Sequence, residues 1–334
     1  MSSNIITLDH GSGGKLTMDL IKMFTSNFRK NNSIEMTDSA VFNSELGITA
    51  FTTDSYVVNP IYFPGGDIGK LAVCGTVNDL AVSGAIPKYL SCAFILEEGL
   101  SIDELESIVK SMSKTADSAG VSIITGDTKV VEKGACDRMF INTAGVGFLQ
   151  KKHKLIGSGA NVKPGDKILI NGNIGDHGLA VLSIRNSFTN DIKSDCAPLN
   201  NLIKNCLAVN DSIHFMRDAT RGGLAAVLTE LSEKVNFGIS INEKNIPLAE
   251  STRGLCEFLG FDPLHLANEG KVIIVAGDGW KEILKTMESH PLGKESRVIG
   301  TIVDRYPGRV VLETEIGGSR IIDIPAGMQL PRIC

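Results

Sequence analysis

Cys334 is the residue best placed to do chemistry. It ends the segment Pro325 to Cys334, which carries prolines at Pro325 and Pro331 and has neither helical nor strand periodicity. Ten residues at about 3.3 Å each reach roughly 30 Å, enough to swing a terminal group from solvent into a site elsewhere. A thiol on such a tail has no packing role. Its own α-carboxylate raises its pKa while Arg332 or a basic site lowers it, so docking would switch reactivity on. The competing reading is an incidental terminal residue.

Acids embedded in apolar or β-forming sequence are the second signal. Asp38 sits in Thr37-Asp38-Ser39-Ala40-Val41, Asp54 follows the run Ile48 to Thr53, and Asp127 lies in Thr125-Gly126-Asp127-Thr128-Lys129. Asp79 belongs to a helix predicted from Asp67, its cap after the Gly65-Gly66 turn, to Gly84. On that helix Ile68, Leu71, Ala72, Gly75 and Val82 share one face, with Asp79 in its middle. An unpaired carboxylate there costs several kcal/mol, so Asp79 must be metal-bound, hydrogen-bonded or paired. Together these acids suit Mg²⁺, a hard ion that keeps waters and bridges carboxylates to phosphates. Each one singly reads equally well as a helix cap or a turn residue.

Glycine-rich stretches supply three candidate anion sites. His10-Gly11-Ser12-Gly13-Gly14-Lys15 turns backbone amides outward as a phosphate loop does. It is not a Walker A motif, because Leu16 follows the lysine and Asp9 stands where the first glycine belongs; a flexible N-terminus is the alternative. Arg217 to Gly223 precedes a predicted helix, where free amides and the helix dipole favour phosphate. Gly172 to Gly178 joins a strand to a helix and reads as well as an ordinary turn.

The elements that must position these groups alternate along the chain. Strand-like runs at Ile48 to Val58, Lys88 to Leu96, Lys167 to Asn171, Lys271 to Ala276 and Arg297 to Val303 are interspersed with helical patterns at Ile102 to Ser118, from Gly178 to Arg185 and at Leu224 to Lys234. This pattern predicts an α/β or α+β fold. At 334 residues the chain accommodates two domains, with a polar boundary at Lys151 to Lys163. We expect an N-terminal unit at 1–155, a second at 156–320 and a mobile tail at 321–334. A formal charge of −5 without basic runs argues against nucleic acid. No signal peptide or membrane span is evident, which predicts a cytoplasmic protein. Seven cysteines without a C-x-x-C pair indicate neither disulfides nor a zinc ribbon, and six of them are expected to be core residues.

These motifs carry a resemblance. Asp9 to Lys15, Thr53-Asp54-Ser55, Gly75-Thr76-Val77-Asn78-Asp79-Leu80-Ala81, Gly126 to Val130, Gly175 to Gly178, Arg217 to Gly223 and Asn268-Glu269-Gly270 resemble the superfamily named for aminoimidazole ribonucleotide synthetase (PurM). The ending Pro331-Arg332-Ile333-Cys334 is similar to the signature tail of its hydrogenase maturation family, HypE. The resemblance implies a two-domain PurM-like fold whose N-terminal domain forms a β-barrel across a homodimer. It implies ATP held by Gly11, Ser12, Gly13, Gly14, Lys15, Asp54, Asp67, Asp127, Thr128 and Asp218, and Mg²⁺ held by Asp38, Asp54, Asp79 and Asp218. It further implies a carbamoyl group placed on Cys334 by the transferase HypF, its ATP-dependent dehydration to a thiocyanate, and delivery to a HypC–HypD complex. Glu269 and Lys129 are its candidate proton acceptors, with His177 a third. A lysine that only binds phosphate, or is merely solvated, and a turn carboxylate at Glu269 remain open alternatives. So do another PurM-like ATP-dependent enzyme and a nucleotide-regulated scaffold.

Overall fold

The computed structural model describes residues 5–7, 20, 22–24, 26–27, 48–323, 330 and 332–334. Strand β1 (Ile48–Tyr56) alternates β-branched, aromatic and small polar residues. It forms one edge of a four-stranded sheet in the order β1-β6-β4-β5, with β4 at Ile86–Glu97, β5 at Ser122–Val131 and β6 at Met139–Leu149. Only β4 and β5 are parallel, and helix α2 (Ile102–Ala119) makes the crossover that a parallel pair requires. Between β1 and α1 (Ile68–Val82), the short hairpin β2 (Tyr62–Phe63) and β3 (Gly66–Asp67) turns at Gly65, whose φ is +94°. A side chain at Gly65 would also strike the Ser194 carbonyl, so only glycine fits this turn.

The second sheet has seven strands in the order β13-β12-β9-β11-β7-β10-β8. These are β7 (Lys167–Ile170), β8 (Ile213–Asp218), β9 (Gly238–Asn242), β10 (Val272–Ala276), β11 (Arg297–Val303), β12 (Val310–Glu313) and β13 (Ser319–Ile322). All neighbours are antiparallel except β12 and β9. Every residue of β10 is buried, because both sheet faces are covered. Ile273 and Val275 pack with Leu224, Leu228 and Leu231 of α5 (Gly223–Val235). Val272 and Ile274 pack with Leu202 and Cys206 of α4 (Asn200–Val209) and Ile283 and Met287 of α7 (Trp280–Ser289). Helices α3 (Asp176–Arg185) and α6 (Glu250–Leu259) share a smaller cluster through Leu179, Ala180 and Cys256.

Three expectations need correction. Helix α1 begins as predicted, with Asp67 accepting a hydrogen bond from the Lys70 amide, but it is not amphipathic. All its residues are buried except Lys70 and Asp79, because it lies between the two sheets: Leu71, Val73 and Val77 join the first core while Ala81 and Val82 join the second. Cys136 is half-buried, so five rather than six cysteines apart from Cys334 are core residues. Strand β13 runs to Ile322, which carries the sheet into the segment expected to be tail.

The packing of α1 is directly testable. A Cβ on Gly75 would stand 2.1 Å from the Tyr56 hydroxyl, whereas one on Gly254 in α6 meets nothing within 4 Å. Gly75→Ala is therefore expected to cost about 1–3 kcal/mol by overpacking. Gly254→Ala should gain about 0.5–1 kcal/mol. Urea denaturation of both variants checks the pair.

Candidate active site

Three carboxylates approach one another from three elements. The two-residue period of β1 puts Thr52, Asp54 and Tyr56 on the face turned to α1. There the Thr52 hydroxyl donates to Asp79 Oδ2 at 3.0 Å, and the Ser55 amide donates to Asp54 Oδ1 at 2.8 Å. Asp218 is the last residue of β8 and is buried. Burial first, then the charge of Asp79 and more weakly that of Asp54, pushes the Asp218 carboxyl up to about 7. Burial also raises Asp79, against the Thr52 hydrogen bond, with Asp54 adding to the rise.

Mutually repelling hard-oxygen donors are the chemistry that a divalent cation relieves, so this set fits Mg²⁺. The acids do not form a cage. Among the described residues no three His, Cys, Asp or Glu side chains lie close enough to hold a metal by themselves. The expected convergence is thus looser than a closed site, leaving coordination positions for waters and phosphate oxygens.

Glu269 stands on the loop before β10, with a side chain only 3% exposed. Its Oε1 has no hydrogen-bond partner. Burial first, and then Cys196, Asp218, Asp195 and Asp54, raises its pKa well above the usual carboxyl range. The buried Tyr56 hydroxyl is likewise without a partner; Thr76 stands beside it outside hydrogen-bonding geometry. Burial, then Asp54 and Glu269, raises the phenol, which puts Tyr56 in the same electrostatic neighbourhood.

The chain terminus is docked against these groups. The Val57 amide donates to the Cys334 carbonyl at 3.2 Å and the Asn59 amide to the Arg332 carbonyl at 3.4 Å, so the terminus lies along residues 57–59 as a short ladder. The Arg185 guanidinium donates to the carbonyls of Arg332 and Asn59. His177 Nε2 is 3.0 Å from the Ile333 carbonyl, and its Nδ1 is 2.8 Å from the Ser194 hydroxyl. A carbonyl only accepts, so Nε2 carries the proton and Nδ1 accepts from Ser194. Burial lowers the His177 pKa, in keeping with that neutral tautomer. Ile333 is 3% exposed and Cys334 packs against the first core.

The docked end corrects the expectation of a thiol without packing. The Arg332 guanidinium also goes elsewhere, donating to the Val57 carbonyl at 3.0 and 3.1 Å and pairing with Asp137. Burial first, then the charge of Glu269, pushes the Cys334 thiol up to about 12 against an opposing pull from Arg221. The docked environment therefore disfavours the thiolate, the opposite of the expected effect.

Other expected site residues are placed differently. Lys129 and Asp127 pair at 3.0 Å on edge strand β5 with side chains 67% and 63% exposed, and Thr128 lies between them. None of the three is among the groups that perturb Cys334, Glu269 or Asp218. Asp67 uses one oxygen to cap α1 and the other to accept from Ser111. In the Gly172 to Gly178 loop the amides of Ile174, Gly175 and Gly178 are committed to the Pro247 carbonyl, Asn268 Oδ1 and the Ala267 carbonyl, which fits the reading of this segment as a turn. In the Arg217 to Gly223 segment, Arg217 pairs with Glu230 at 2.8 Å, while Arg221 is exposed and its charge pulls the Cys334 thiol down. Gly11, Ser12, Gly13, Gly14, Lys15 and Asp38 lie outside the described residues, as do 324–329 and 331. Sequence reasoning missed Arg185, Ser194 and Asp195, for which no local spacing gives a signal, and Asn78, which was legible only as the neighbour of Asp79.

Comparison with known proteins finds relatives in sequence and in fold. Residues 36–149 match the family model described as AIR synthase related protein, N-terminal domain, and residues 163–313 match its C-terminal domain. The chain is 46% identical over 336 residues to the carbamoyl dehydratase HypE of Rhodobacter capsulatus, with 98% of each chain covered. It is similar to a solved structure of the hydrogenase maturation protein HypE in complex with ATP, with a TM-score of 0.93, 46% identity, and coverage of 98% of this chain and 99% of that one. A chain of a HypE–HypF complex matches with a TM-score of 0.80, 47% identity, and coverage of 93% and 100%.

Two outcomes follow from the geometry. An acid whose folded pKa is raised resists ionising in the fold, so its contribution to stability falls as pH rises from 3.8 to about 7 and is flat above that. Relative to wild type, Asp218→Asn should therefore gain stability progressively across that window, as read by denaturant midpoints. Separately, Arg185→Gln removes charge-assisted hydrogen bonds worth about 1.5–3 kcal/mol each. The undocked population should rise about tenfold or more, and alkylation of Cys334 by iodoacetamide should accelerate in proportion.

Proposed function

This chain belongs to the HypE family of hydrogenase maturation proteins, and from that premise we propose that it uses ATP to dehydrate a carbamoyl group on its own Cys334. The product is a thiocyanate, the source of the cyanide ligand of the nickel-iron hydrogenase iron centre. The observation that carries this reading is the seat of the terminal thiol, docked between the two domains with Glu269, Arg221 and Asp54 around it.

The chemistry asks for those groups. A carbamoyl oxygen is a poor leaving group until ATP phosphorylates it. That transfer forms the new P–O bond as the bond to ADP breaks, and the nitrogen gives up its first proton. Asp54, Asp79 and Asp218 would hold Mg²⁺, which supplies charge neutralisation for the transferring phosphoryl group. Arg221 supplies a cationic group on the thiol side. Breaking the C–O bond then expels phosphate as the second N–H proton leaves, giving S–C≡N. Glu269 is the acceptor of that proton: its buried oxygen has no partner, its charge acts on the thiol, and a carboxyl with a raised pKa is a stronger base once ionised. His177 orients the Ile333 carbonyl and thereby the thiol, and takes no proton itself. The buried, neutral thiol is a poor nucleophile, so loading by a carbamoyl transferase of the HypF kind takes place with the tail released.

Residues 1–155 serve as the nucleotide-binding and dimerising domain, 156–322 as the second domain, which includes β13, and 323–334 as the carrier tail. The face of the four-stranded sheet that leaves Phe51 70% exposed supports burial against a second subunit. Strand β5, with Asp127, Thr128 and Lys129, would then meet nucleotide near that interface. Delivery to a HypC–HypD complex and a cytoplasmic location, where ATP is available, complete the reading.

Incubation of the full chain with ATP, carbamoyl phosphate and the carbamoyl transferase, followed by mass analysis of the C-terminal peptide, tests it. The expected result is gain of one carbamoyl group and then ATP-dependent loss of one water, with no modification in Cys334→Ala. A peptide that never changes mass would contradict it and favour a scaffold. Asp79→Asn should lower ATP turnover by about 10²–10³-fold, with the circular dichroism spectrum of wild type and a thermal midpoint no lower.

A further inference from the structure

Glu269 is held from behind by a residue that touches neither the thiol nor the carboxylate trio. The Glu269 amide donates to Asp195 Oδ1 at 3.0 Å, the Gly270 amide donates to Asp195 Oδ2 at 3.0 Å, and Lys271 Nζ donates to the same Oδ2 at 2.9 Å. One carboxylate thus takes donors from three consecutive residues. Burial alone would raise the Asp195 pKa; the Lys271 ammonium and the Glu269 amide outweigh it and keep the group ionised.

The same segment is gripped from its other side. The Glu269 carbonyl accepts from the Ala197 amide at 3.3 Å and from Asn78 Nδ2 at 3.4 Å. Asn78 in turn binds the Ala197 carbonyl at 3.1 Å and the Leu199 amide at 2.7 Å, which ties this loop to α1. The fit is backbone to backbone, since a Cβ on Gly270 would come within 2.0 Å of the Asp195 carbonyl.

A buried ion pair adds little net stability over apolar packing, so stability alone does not account for this arrangement. What three directed donors on one carboxylate do supply is a fixed orientation of the turn. We propose that Asp195 is a positioning residue, whose carboxylate clamps the turn Glu269 to Lys271 so that the Glu269 side chain faces the thiol of Cys334. This rests on the role given to Glu269 above.

The test uses the full chain carrying a carbamoyl group on Cys334, with wild type, Asp195→Asn, the double variant Asp195→Asn/Lys271→Met and Glu269→Gln compared in parallel. The double variant leaves no unpaired buried ammonium and so guards against unfolding from that cause. Single-turnover loss of water is followed by mass, and ATP affinity and thermal midpoint are measured on the same samples. Both Asp195 variants should dehydrate about 100-fold more slowly, the cost of ångström-scale misplacement, with ATP affinity unchanged and the fold retained. Wild-type rates in either folded Asp195 variant overturn the clamp. So does a parallel loss of ATP affinity, or failure of both variants to fold, because either makes Asp195 a general structural residue. Dehydration by Glu269→Gln at the wild-type rate would instead overturn the role of Glu269, and no dehydration by wild type would overturn the function itself.

Discussion

A helix buried on every side governs this molecule. Helix α1 runs between the two sheets, so each polar group on it must find a partner or destabilise the fold. Thr76 meets Thr143 at 2.5 Å, Asn78 meets the loop at 197–199, and Asp79 meets Thr52. Each of these contacts ties α1 to a different segment: β6, the approach to α4, and β1. The requirement to satisfy buried polar groups therefore also sets the relative positions of the site's parts. Asp54 arrives with β1 and Asp79 with α1, Asp218 comes from the end of β8, and Glu269 is fixed through Asn78 and Asp195.

The terminus gives the site its logic. Docking is made of hydrogen bonds to the tail's backbone carbonyls, from the Val57 and Asn59 amides, the Arg185 guanidinium and the His177 ring, together with the Arg332 side chain and burial of Ile333. Such contacts read the course of the chain and do not depend on what the sulfur carries. A loaded and an unloaded tail can use the same ladder. The environment that makes the docked thiol inert also keeps the site's carboxyls weakly acidic, through the same burial and the same crowding of negative charge. In the proposed function, loading and dehydration thus call for opposite environments.

Much of this was legible in the residues. The Asp67 cap, strand Arg297 to Val303 and helix Ile102 to Ser118 follow from local chemistry and period and are found where expected, to within a residue. Helices α4, α6 and α7, the hairpin β2–β3 and strands β5, β6, β8, β9, β12 and β13 were not singled out. The face assigned to α1 failed because a helix between two cores has no solvent side, and a one-face pattern cannot reveal that. Cys334 was recognisable by its place in the sequence, but its docked state depends on partners at 57–59, 177 and 185, whose distance along the chain no local pattern spans. Lys129 shows a related gap: its motif reads as a site, and the sequence does not show that strand pairing places it, paired with Asp127, on the outer edge of the sheet.

The central claim is that ATP activates the oxygen of a carbamoyl group held on Cys334 in the docked site, and isotope transfer tests it most directly. Protein loaded with carbamoyl labelled by oxygen-18 should release phosphate carrying one labelled oxygen for each thiocyanate formed. Unlabelled phosphate accompanying thiocyanate formation would mean that ATP hydrolysis and dehydration are separate events, and the account would be wrong.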